Sequence, residues 1–178
     1  MSSALALLAL VSAADFSADL SPEAFARCAE LAPELEIAAD EAGLPAEVLQ
    51  AQCLHETGGL AIEGRRADVT GVLQVSWSTW GALLAAEGFT AGDLLDPEQS
   101  VLAAGPVLRS IATRWPGLTV AQRLCAYGVG ADAVRLGWQT CRYSDRVLGL
   151  ARGLRGQRKL QDAPRGEGGV LVAQAGLR

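Results

Sequence analysis

Apolar residues recur along this chain at helical intervals, and short runs of Gly, Pro, Ser and Asp divide them into segments. Ser21-Pro22-Glu23 sets a hydroxyl cap before a proline at the first helical position, and residues 24–42 are rich in helix formers, so one helix is expected there, ended by Gly43. Leu31, Leu35 and Ala38 form its buried stripe, while Glu30, Glu34, Glu36, Asp40 and Glu41 face water. Residues 46–57, started by Pro45, form a second helix on which Leu49, Cys53 and Glu56 follow the 4-then-3 spacing of one face. Gly58-Gly59 break it, and residues 58–70 are expected as a loop or short irregular strands beside it. Residues 78–87 predict a short helix before Gly88. Asp96, Pro97 and Gln99 open a long helix in capping-box order, with Val101, Ala104, Leu108, Ile111 and Trp115 inward and a kink at Pro106. Thr119 and Gln122 repeat the device over residues 119–127, burying Val120, Leu124 and Tyr127. Residues 145–154 supply the last helix, with Val147, Ala151 and Leu154 inward. Runs of β-branched residues are scarce, and the fold class expected is mostly α.

With 178 residues, half of them hydrophobic, the chain suits one domain with a substantial core. Three stretches follow: an apolar segment over 1–20, a domain over 21–154, and an extended basic tail over 155–178. Residues 4–14 are uncharged and end in Val11-Ser12-Ala13-Ala14, which reads either as a short signal-peptide core or as a helix that packs on the domain or on a partner. No Lys or Arg precedes it, and no stretch is long enough to span a membrane. Net charge is −5, yet residues 152–178 carry six Arg and Lys against two Asp and Glu. A basic tail on an acidic body points to a protein partner for the tail, and Gly169-Val170-Leu171-Val172-Ala173 is a β-prone run suited to adding a strand to a neighbour. No basic groove with interleaved aromatics supports nucleic-acid binding. Cys28, Cys53, Cys125 and Cys141 lack zinc-ligand spacing, so neither metal nor cofactor is called for. Free buried thiols are favoured for them, with a Cys125–Cys141 disulfide as the alternative in an oxidising space.

Glu56 is the candidate for chemistry. A carboxyl group held on an apolar helix face keeps its proton at neutral pH, which is what a general acid requires. Fifteen residues after it comes Gly71-Val72-Leu73-Gln74-Val75, then Ser76-Trp77-Ser78-Thr79-Trp80. Further on are Asp96-Pro97-Glu98, Cys125-Ala126-Tyr127-Gly128 and Tyr143-Ser144-Asp145-Arg146-Val147-Leu148. This ordered set resembles the soluble lytic transglycosylase family of the lysozyme superfamily, over roughly residues 31–154. Four positions depart from the family pattern. Thr57 replaces a serine, Val72 and Leu73 replace Leu-Met, and Gly128 replaces an asparagine whose amide lies near the sugar in the family.

The resemblance implies a lysozyme-like helical domain that cleaves the β-1,4 bond between N-acetylmuramic acid and N-acetylglucosamine in peptidoglycan. Glu56 would protonate the bridging oxygen and then, as a base, take the proton of the muramic acid 6-hydroxyl, closing a 1,6-anhydro ring without water. Gln74 matches a glutamine that lines the cleft, and Tyr127 a tyrosine that hydrogen-bonds the catalytic glutamate. Thr57 is placed with the substrate-binding set, and Trp77 and Trp80 offer either flat surfaces for sugar rings or core packing. Asp68, twelve residues after Glu56, stands close to where goose-type lysozymes carry an acid that positions water. It is either that second carboxylate, giving a hydrolase of the muramidase kind, or a solvated loop residue. His55 points about 100° away from Glu56 around the helix and reads as a surface or satisfied histidine. A lysozyme-fold part with reduced catalysis, kept as a structural component of a virion or secretion assembly, is the reading of a different class. The expected setting is the bacterial cell envelope or a phage virion.

Overall fold

A computed structural model of the chain describes residues 20–64 and 68–161, with side chains through residue 156. Ser21 Oγ accepts from the Ala24 N–H at 3.2 Å, and Pro22 occupies a first-turn position that needs no donor, so α1 spans Pro22–Glu30. It stops at Leu31, and α2 (Ala32–Ala42) follows at once. The single helix expected over 24–42 is therefore two. Pro33 is the reason: it has no N–H to give and its ring collides with the carbonyl four residues back, yet it fits the first turn of a new helix.

In α3 (Ala46–Glu56) Val48, Leu49, Ala51, Gln52, Cys53 and Leu54 are all buried. A helix buried on most sides is a central one, and α1, α2 and the last helix pack around it. Beside it the chain forms a small antiparallel hairpin, β1 (Val69–Thr70) with β2 (Val75–Ser76), in which Val69 faces Ser76 and Thr70 faces Val75. Glu63 adds an isolated bridge to Thr70. The strand-containing loop expected next to the Glu56 helix is thus present. Then come α4 (Trp77–Ala86), a 3-10 turn (Gly92–Leu95) and α5 (Pro97–Arg114), whose cap Asp96 Oδ1 accepts from the Gln99 N–H at 2.9 Å. Pro106 lies inside α5, which continues past it to Arg114. The Thr119–Gln122 capping box starts α6 (Val120–Val129), and α7 (Asp132–Arg135) and α8 (Arg142–Gln161) complete the described chain.

The C-terminal boundary differs from the expected one. Residues 155–161, expected as an extended tail, are helical and continue α8, and Arg155 Nε lies 3.8 Å from Glu47 Oε1 on α3. Arg, Gln, Lys and Leu are good helix formers, and a helix laid along α3 carries Gly153 and Gly156 through. The apolar segment over 1–19 and the tail over 162–178, with its β-prone run, lie outside the described residues.

The core forms where α2 packs on α5, α3 on α8 and α6 on α8, around fully buried Leu35, Leu49, Leu54, Leu108, Ile111 and Leu124. The molecule is a mostly helical single domain, and no helix among the described residues is long and apolar enough to cross a membrane. Two disulfides cross-link it: Cys28–Cys53 joins α1 to α3, and Cys125–Cys141 joins α6 to the residue before α8. The free-thiol reading is corrected accordingly. Cys53 does lie on a core face, but the crossing of α1 over α3 places Cys28 against it with Cα atoms 6.1 Å apart, a proximity that no sequence spacing announces.

Candidate active site

Glu56 ends α3, where Thr57-Gly58-Gly59 turn the chain back over α1 and Arg27 Nε donates to the Gly58 carbonyl at 2.8 Å. Its carboxylate lines an open cleft of about 970 Å³. The hairpin forms one wall, the end of α6 with Tyr143 another, and Trp80, Arg114 and Trp115 a third.

Tyr143 holds Glu56. Its hydroxyl hydrogen-bonds the Glu56 carboxylate and accepts from Gln52 Nε2 at 2.9 Å. Gln52 is fully buried one helical turn before Glu56, so both side chains leave α3 on the same side. Burial, then the Glu56 charge, raises the Tyr143 hydroxyl well above its ordinary pKa, and the same two causes raise Tyr127. Both phenols therefore stay protonated as donors. Tyr127, expected to hydrogen-bond the glutamate, instead donates to the Leu73 carbonyl at 2.7 Å, although it stands close enough for the Glu56 charge to act on it.

Gly128 is explained by the same tyrosine. A β-carbon at position 128 would lie 2.6 Å from Tyr143 Cδ1 and 2.7 Å from Cγ, so the ring fills the space a side chain would take. His55 lies on the other side of Tyr143, ring edge to face with centroids 5.3 Å apart. Desolvation first, and the Arg146 charge second, lower its pKa, so its neutral form is favoured. It lines the cleft and is neither a plain surface residue nor a fully satisfied one, since Nδ1 is buried without a partner among the described residues.

The turn over 71–74 is held by side chains from four directions. Thr57 Oγ1 donates to the Val72 carbonyl at 2.9 Å, Ser100 Oγ on α5 accepts from the Val72 N–H at 2.7 Å, and Tyr127 takes the Leu73 carbonyl. Gln74 Nε2 donates to Gly71 and Ile62 carbonyls at 2.9 and 3.1 Å. Gly71, at φ 91°, has no room for a side chain, because one would strike Ser100 Oγ and the Leu94 carbonyl. Thr57 and Gln74 both line the cleft as expected, but their donors are committed to shaping its wall. Gln74 Oε1 remains as an acceptor.

Of the two tryptophans on α4, the structure separates the roles left open. Trp77 is not on the cleft; it packs on the core and lies over Gly81, whose added β-carbon would sit 2.8 Å from Trp77 Cε2. Trp80, three residues on, lines the cleft. Asp68 lines it too. It adopts φ 91°, a costly conformation for a residue with a side chain, and its Oδ2 accepts from Ser78 Oγ and, at 2.8 Å, from Ser76 Oγ. Those bonds, the Ser78 hydroxyl foremost, lower its pKa, so Asp68 is an ionised acceptor tied to the first turn of α4.

Sequence reasoning placed Glu56, Thr57, Gln74 and Tyr127 at the site and left Asp68 and Trp80 open, yet missed Tyr143, Arg114 and Trp115 as cleft residues. Tyr143 sat inside a quoted motif with no role attached, and an Arg-Trp pair at the end of a helix carries no spacing signal at all. Among the described residues no group of three or more His, Cys, Asp or Glu could hold a metal ion. No protein-family model matches this chain, and no curated protein matches it.

Proposed function

We propose that this chain is a peptidoglycan lytic transglycosylase with Glu56 as its acid and base. The observation that carries the reading is one carboxyl group at the end of a central helix, hydrogen-bonded by a buried tyrosine, on the wall of a cleft large enough for several sugar rings. A strand laid in the cleft would present its bridging oxygen to Glu56. Proton transfer to that oxygen releases the N-acetylglucosamine side, and the resulting carboxylate then takes the proton of the muramic acid 6-hydroxyl as its oxygen closes on C1. The acid is regenerated and no water is consumed. Tyr143, which donates to the carboxylate form, favours the charged state between the two proton transfers and holds the group in one orientation.

A second reading rests on Asp68, an ionised carboxylate on the same cleft. With Asp68 ordering a water molecule, the products would be ordinary reducing ends, as in a muramidase. Digestion of purified sacculi separates the two by product mass. Anhydro-muropeptides made by the native chain and lost in Glu56→Gln are expected. Reducing-end products that disappear in Asp68→Asn would transfer the proposal to the hydrolase, and no soluble product from the native chain would defeat both. Two disulfides favour action in an oxidising space such as the cell envelope, reached directly or by delivery in a virion.

A further inference from the structure

The wall of the cleft formed by Trp80, Arg114 and Trp115 has no part in the chemistry at Glu56. Its composition is nonetheless specific. Arg114 ends α5 with its guanidinium carbon 5.2 Å from the Trp115 ring centroid, a cation–π arrangement that holds the planar group against the indole. It has no carboxylate or carbonyl partner among the described residues, whereas Arg109 on the same helix is bonded to Glu41 and Glu87 at 2.6 and 2.5 Å. The other carboxyl groups of the described lining are Glu56, Glu63 and Asp68, and His55 favours its neutral form. Arg114 is therefore the one fixed positive charge on the described cleft wall.

A guanidinium presents a rigid fork of donors that matches a carboxylate with two parallel hydrogen bonds, and an adjoining indole offers a flat face to a sugar ring. We propose that Arg114, with Trp115 and Trp80, forms a subsite that selects glycan strands carrying a carboxylate over neutral ones. The inference rests on the proposed glycan substrate and adds its charge. In peptidoglycan the carboxylate has two sources: the lactyl group of a muramic acid stripped of its peptide, or the peptide stem where that is present. Neutral chitin-type oligomers have neither.

The test uses the full chain with Glu56→Gln, so that ligands survive, and titration calorimetry with three tetrasaccharides. These are chitotetraose, a peptide-free N-acetylglucosamine–N-acetylmuramic acid oligomer, and the same oligomer bearing tetrapeptide stems. At least one acidic oligomer is expected to bind roughly tenfold more tightly than chitotetraose, in line with a charge-assisted hydrogen-bond pair. Whichever oligomer shows the gain identifies the carboxylate recognised. Adding Arg114→Gln should bring the ratio to about one, while Arg114→Lys, which keeps the charge at the helix end but not the fork, should restore part of it. Equal binding of all three ligands, a ratio unchanged by Arg114→Gln, or no binding at all overturns the subsite. Sacculus digestion by the native chain is measured in parallel. Digestion without Arg114-dependent preference defeats the subsite alone, and Arg114-dependent preference without digestion defeats the proposed reaction and leaves the subsite standing.

Discussion

Glu56 depends on neighbours that lie far from it along the chain. Tyr143 comes from α8 and Gln52 from the preceding turn of α3, and the three make one connected set in which the tyrosine hydroxyl accepts from the amide and donates to the carboxylate. Gln52 Oε1 has no hydrogen-bond partner among the described residues, so this network already carries one unmet group. Tyr143→Phe would leave Gln52 Nε2 unmet as well and free the carboxylate to rotate. Stability should fall by roughly 1–3 kcal/mol, measured as a lower denaturant midpoint, and sacculus digestion by about tenfold or more. A variant as active as the native chain would show that Tyr143 serves packing alone. At this scale the sequence was informative where a side chain's helical phase decides its position, as for Glu56, and uninformative where a partner comes from another element. Tyr127 had the expected phase and still found a different acceptor, the Leu73 carbonyl 2.7 Å away, on a turn that packing brings to it.

Among the elements, the hairpin is the smallest and the most dependent on others. Two residues per strand cannot stabilise themselves, and the turn between them is fixed by bonds from α3, α5 and α6. Ser100 is fully buried on α5 and its hydroxyl is the acceptor for the buried Val72 N–H. Ser100→Ala should cost about 1–3 kcal/mol by leaving that donor without a partner, and hydrogen exchange at Val72 should quicken more than in the helices. Equal protection at Val72 in both forms would mean the turn is held by its remaining bonds. Helix starts were legible because caps are local chemistry: Ser21, Asp96 and Thr119 each accept from the N–H three residues on. Pro33 was equally local and was passed over, and the stretch over 155–161 was misplaced because Gly153 and Gly156 interrupt its helix formers, whereas α8, packed on α3, runs through both glycines.

For the whole molecule, the disulfides tie the ends of the domain to its centre. Cys28–Cys53 closes a separation of 25 residues and Cys125–Cys141 one of 16, and they anchor α1 and the start of α8 to the helices that flank the cleft. Loop-closure entropy in the unfolded chain makes each worth about 3 kcal/mol. Cys28→Ser with Cys53→Ser should lower the thermal midpoint clearly and make it insensitive to further loss at that bridge on reduction. A native chain whose midpoint does not move under reducing agent would show that the bridges do not form in solution.

Helical class, the capped helix starts at Ser21, Asp96 and Thr119, the burial of the Leu49–Cys53 face and the candidacy of Glu56 were determined by the sequence alone, because each follows from periodicity or from capping within a few residues. The tertiary structure decided which tyrosine holds the glutamate, why position 128 has no side chain, which tryptophan reaches the cleft and which cysteines meet. Those are contacts between elements brought together by packing, set by how α1 and α8 cross the central helix and how α6 packs on α8. Neither the spacing nor the type of the residues involved encodes that crossing in a form that can be read one segment at a time.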